Sequence, residues 1–119
     1  MATRPNFKSG WHRNRWFIQG DLQSQLTDPH PGWWMPAEGL WPLAVTIGGT
    51  FATINANILV ANQLTIPADA DVGYPALINV IAPAVYTITQ PFAWIKFQVV
   101  AITGGFVLAS YMATSGSTD

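Results

Sequence analysis

Cysteine is absent from this sequence, which excludes both a disulfide framework and a thiolate metal site. Charge is nearly as scarce: only 9% of the 119 residues are Asp, Glu, Lys or Arg, against roughly 25% in an ordinary globular domain. So few charges cannot coat a free monomer in the usual way. Either the chain sits in a bilayer or other protein covers much of its surface. A signal-peptide pattern is missing too, since residues 1–16 lack an apolar stretch, and export through a leader is not expected. Sustained helical periodicity is also missing.

What is present is apolar and aromatic. Half the residues are hydrophobic and 13% are aromatic, six of them Trp, in a length that suits a single domain. The few charges are unevenly placed. Residues 1–16 hold Arg4, Lys8, Arg13 and Arg15 with no acid, whereas the remainder sets Lys96 against Asp21, Asp28, Glu38, Asp69, Asp71 and Asp119. A segment of +4 therefore precedes a body of −5, an arrangement suited to docking a basic arm on an acidic surface.

The punctuation of the chain changes near residue 42. Before it stand Trp11, Trp16, Trp33, Trp34 and Trp41 with Pro5, Pro29, Pro31, Pro36 and Pro42, in no regular period. Prolines remove backbone donors and restrict their predecessors, so residues 1–42 read as an irregular arm. So many large aromatics argue that the arm lies against something. Beyond residue 42, six β-prone runs follow: Leu43–Ile47, Thr50–Val60, Ala76–Ile81, Ala84–Thr89, Ala93–Thr103 and Phe106–Ala113. Ala52, Ile54, Ala56, Ile58 and Val60 share one side of the second run; Thr53, Asn55 and Asn57 share the other. In the fifth, Ile95, Phe97, Val99 and Ala101 are expected inward, with Trp94, Lys96 and Gln98 outward. Gly104-Gly105 predicts a tight hairpin turn into the sixth. The expected fold is all-β: a single antiparallel β-sandwich, jelly-roll-like or Ig-like, over residues 43–114, with a polar tail at 115–119.

Residues 93–113 and 40–61 are long enough to span a bilayer, but polar residues and Gly-Gly pairs interrupt them, which disfavours a membrane helix. His12 and His30 lack the carboxylate company of a metal site, and Asp69 with Asp71 supply too few ligands for calcium. The glycine pairs lack a following lysine or helix, so phosphate binding is unsupported. No catalytic residue, cofactor, metal or small-molecule substrate is expected. Trp33, Trp34 and Trp41 with Asn55 and Asn57 compose the alternative of a glycan-binding module. Nucleic acid is disfavoured, because Asp28 and Glu38 flank Trp33-Trp34. Trp and Arg are the side chains most enriched at protein-interface hot spots. Arg4, Lys8, Trp11, Arg13, Arg15, Trp16, Trp33 and Trp34 are therefore the candidate partner-docking set. The last two runs are apolar on both faces, which makes Trp94, Val100, Ile102, Val107, Ala109 and Tyr111 the candidate interface of a homodimer or homotrimer.

Gly48-Gly49-Thr50-Phe51 leads into an alternating strand. Later come Gln90-Pro91-Phe92-Ala93-Trp94-Ile95-Lys96-Phe97-Gln98-Val99, Thr103-Gly104-Gly105 and Phe106-Val107-Leu108. Across residues 44–113 this pattern resembles small β-sandwich virion accessory proteins of tailed bacteriophages, of the capsid cement or decoration type. The arm is not part of that pattern. The resemblance implies a non-enzymatic virion protein, assembled in the bacterial cytoplasm, that binds the major capsid protein and stabilises the head. A tail, connector or fibre-base component is the alternative of the same class.

Overall fold

A computed structural model describes residues 5–12, 15–70 and 73–114. Nine strands lie among them: β1 (Phe7–His12), β2 (Arg15–Leu26), β3 (Met35–Pro36), β4 (Leu43–Thr50), β5 (Thr53–Ala61), β6 (Ala76–Val80), β7 (Ala84–Ile88), β8 (Trp94–Thr103) and β9 (Phe106–Thr114). They form a five-stranded sheet in the order β1-β2-β9-β4-β7 and a four-stranded sheet in the order β3-β8-β5-β6. All ladders are antiparallel. The chain turns back between β5 and β6, and the pairs β5·β6, β4·β7, β3·β8 and β2·β9 then nest one outside another. A long antiparallel ribbon rolled in this way is a jelly roll, with β1 added to one edge. The nested pairing decides against the Ig-like arrangement.

Alternation makes the core. Ile54, Ala56, Ile58 and Val60 of β5 face Leu43, Val45 and Ile47 of β4 and Val107, Ala109 and Tyr111 of β9 across the sandwich, all buried. A second, smaller cluster sits outside the four-stranded sheet. There Trp34, Leu59 and Ala61 are buried, with Tyr74 and Trp94 packed against them.

Residues 43–114 supply β4–β9, as the six runs predict. The irregular arm needs correcting. Residues 7–12 and 15–26 are strands, and β2 lies inside the larger sheet with Ile18, Leu22 and Leu26 in the core. Register shifts between Asp21 and Gln23 and between Gln23 and Leu26 explain why no alternation shows there. Each bulge adds a residue, so the positions opposite Tyr111, Ala109 and Val107 are Gly20, Gln23 and Leu26, three apart where an unbroken strand would give two, and Gln25 takes a positive φ of 28°. Residues 30–36 then run along the edge of β8, with His30 bridging Val99 and Met35 pairing Ile95.

The glycine turn at 104–105 also differs from expectation. Gly104 and Gly105 have φ of 74° and 150°, and a Cβ on Gly105 would sit 1.8 Å from the Thr50 carbonyl oxygen, so only glycine fits. However, the turn joins strands of different sheets: β9 pairs with β2 and β4, not with β8. Ala101 is exposed, not inward, because a register shift opposite Asn55/Ala56 changes the phase of β8. Lys96 points away from the main core as expected, yet it is fully buried beneath the second cluster.

Candidate docking surface

The β1–β2 hairpin carries the surface best suited to a protein partner. Trp11 and Trp16 are cross-strand partners, their rings edge-to-face with centroids 5.4 Å apart. Trp11 is 71% exposed, a large loss of hydration economy for an indole with no cover. Beside it Arg15 is exposed, paired with His12. Trp16 Nε1 donates to Glu38 Oε1 at 2.7 Å, which fixes the ring that supports Trp11. Glu38 reaches it from a tight turn closed by Leu40 N–H donating to the Ala37 carbonyl; Glu38 and Gly39 both have positive φ, 57° and 69°. Leu43, Ala113, Ile18 and Ser9 are level across four adjacent strands, so Trp41, two residues before Leu43, lies at the same end of the sheet as Trp11 and Trp16. Trp41 is exposed too.

Of the expected docking set, the structure pairs Trp11 with Trp16 on one face of the β1–β2 hairpin, while alternation puts Arg15 and Lys8 on the other face, in phase with Gln19. Arg4 and Arg13 lie outside the described residues. Trp33 and Trp34 are corrections: Trp33 is half-buried against the main core and Trp34 is fully buried. Trp34 N–H donates to Asp69 Oδ1 and its Nε1 donates to the Ala68 carbonyl, both at 3.1 Å, while Lys96 Nζ lies 5.2 Å from the centre of its ring. Lys96 also donates to the Asp69 backbone carbonyl. A Trp with both N–H groups satisfied inside the chain is a core residue. The glycan platform of Trp33, Trp34 and Trp41 is consequently not assembled, and Asn55 and Asn57 are engaged by Asn79.

The expected oligomer set divides as well. Val100 is exposed and Trp94 and Ile102 are half-buried. Val107, Ala109 and Tyr111 face the interior, because the register of β9 against β2 and β4 fixes its phase. Tyr111 donates to the Pro36 carbonyl at 2.8 Å, and burial first, then the Glu38 charge, pushes its pKa well up, so it stays a donor. The outward positions of β9 are Leu108, Ser110 and Met112. With Lys8, Gln19, Asp21 and Thr46 these last two line an open trough of about 580 Å³ on the outer face of the larger sheet. The expected docking and oligomer sets lacked Glu38, Leu108 and Met112, and Trp41 stood only in the glycan alternative. Alternation in 106–113 carried the signal for Leu108 and Met112, but not which face was which.

A half-buried polar strap lies against the far end of β2. His30 Nδ1 accepts from Gly32 N–H at 2.9 Å and lies 3.4 Å from Gln23 Nε2, and its ring stacks at a tilt on Trp33. Desolvation, then the Lys96 charge, hold its pKa below 6.5 against an opposing contribution from Asp69. Among the described residues no three His, Cys, Asp or Glu side chains group as metal ligands. Nor is any helix among them long and apolar enough to cross a membrane.

No protein-family model matches the sequence, and no curated protein matches it. Among solved structures the chain is similar to the crystal structure of SPBc2 prophage-derived protein YomS, with a TM-score of 0.61 and 16% identity. The match covers 97% of this chain and 98% of that one. At this identity the likeness shows the fold, and at this coverage it extends through most of residues 1–42.

Proposed function

We propose that this chain is a non-enzymatic structural protein of a bacteriophage particle, a cement or decoration subunit that docks on the major capsid protein. The observation that carries the reading is the exposed Trp11, braced by Trp16, with Arg15 exposed on the next rung of the same hairpin, in a chain with few charges. Trp and Arg on a rigid strand lose little entropy on binding and are typical interface anchors. The phage-type pattern across residues 44–113 and the prophage origin of the structurally similar protein support the particle context. The docking element is a hairpin tip that belongs to the sandwich, in place of a long arm draped over the shell.

Deleting the first twenty residues would remove β1 and the core residue Ile18, so point substitutions make the better test. Trp11→Ala with Arg15→Ala should leave the fold intact. It should weaken co-sedimentation with heads from the phage that encodes the chain by about 30-fold, as for a hot spot of about 2 kcal/mol. Unchanged binding to heads, or binding to separated tails alone, would overturn the cement reading.

A further inference from the structure

A sandwich has four sheet edges, and an open edge offers a row of free N–H and C=O groups to any strand that approaches. Three edges of this molecule are blunted. The strand β3 is two residues long and one of them is Pro36. The strand β1 carries Lys8, and its edge bears the docking surface described above. The strand β6 follows Pro75, and its ladder to β5 is broken by a register shift at Ile58/Leu59. Like β6, the strand β7 follows a proline, Pro83, but it has none of the other protections. Its five residues, Ala84 to Ile88, pair with β4 without a shift and contain no charge and no proline.

The neighbourhood of β7 is equally unguarded. From Gly73 to Ile95 the sequence contains no charged residue. Within that stretch Ile81 and Val85 are 69% and 65% exposed. A groove of about 290 Å³, lined by Leu77, Ile78, Thr87 and Ile88 among others, runs between the β6 and β7 edges.

We infer that β7 is a self-association edge, on which β7 of a second copy adds antiparallel across a two-fold axis. The second copy is the occupant that these features select. A charge-free edge is matched by an equally charge-free edge, and two-fold symmetry supplies one without further evolution of a partner. Antiparallel pairing centred on Tyr86 sets Val85 opposite Thr87 of the second copy on the outer face, a β-branched pair that packs well. The two five-stranded sheets become one continuous sheet of ten. Ile81 and the groove then lie beside the seam. The inference goes beyond the docking reading and stands without it, since the two surfaces lie on opposite edges of the larger sheet.

The test is the solution mass of the full chain by light scattering, with amide hydrogen exchange of residues 84–88 as a function of concentration. The wild-type chain is expected to be a dimer, with protection of 84–88 that rises with concentration. Val85→Lys with Thr87→Lys places like charges across the seam on solvent-facing positions; it should give a folded monomer that still binds phage heads. A monomeric wild type with concentration-independent exchange would overturn the inference. So would a double variant that remains dimeric. Loss of head binding by Trp11→Ala with the dimer intact would separate the two surfaces.

Discussion

The two sheets treat their outer faces differently. Outside the four-stranded sheet the chain builds a second core: Trp34, Leu59 and Ala61 are buried, Tyr74 and Trp94 pack on them, and Lys96 is enclosed beneath. The strap at residues 30–36 and the loop that carries Asp69 provide the cover, tied by Trp34 to Asp69 and Ala68. Outside the five-stranded sheet no such cover exists among the described residues, and Leu108, Met112 and Val85 face solvent. The comparison teaches that scarcity of charge has two separate causes here. Part of the apolar surplus builds a second core from the chain itself, and only the remainder faces solvent.

The comparison breaks first at Trp34. Trp34→Ala should destabilise the chain by about 3–5 kcal/mol in urea unfolding, the cost of emptying a large aromatic site. A cost below about 1 kcal/mol would mean that the cover is not a core. Next comes acid. His30 has a folded pKa lowered from 6.5, so the unfolded chain takes up the proton more readily. Its contribution to stability is whole above about pH 6.5 and is lost as the pH falls through the lowered folded value. His30→Asn keeps an acceptor for Gly32 N–H without titrating, so the difference in stability between wild type and variant should vary with pH in that window. A constant difference from pH 8 to 4 would refute the assignment. Smallest is the bare face. Leu108→Thr should change stability by no more than about 0.5 kcal/mol; a larger cost would show that this face is already packed.

Much of the sandwich was legible because β4, β5, β7 and β9 keep their period and the runs are bounded by Gly and Pro. The strand β2 was not, since its bulges break the alternation and Ile18, Leu22 and Leu26 recur every fourth residue, a spacing that fits a helix face as well as a strand face. The phase of β9 was hidden for another reason. Val107 and Leu108 are equally apolar, and only pairing with β2 and β4 decides which is core. Within the docking surface, Trp11, Arg15 and Trp16 were legible from composition. Trp34 carried the same signal with the opposite outcome, because a local reading cannot foresee that Asp69, distant in sequence, will receive its N–H.

The place of β9 in the chain has a consequence for synthesis. It follows the other eight strands described, yet it lies between β2 and β4 at the middle of the larger sheet. A nascent chain that has not released β9 leaves β2 and β4 without their shared neighbour, both as raw edges. Pairing Phe17 with Thr114 closes nearly the whole length of the chain in one step, and topologies of this kind fold on the order of milliseconds to seconds. The sandwich therefore closes only once β9 is available, and a chain cut short of β9 keeps sticky edges instead of forming a smaller sandwich. Completeness is written into strand order: the larger sheet has a closed surface only once β9 is in place.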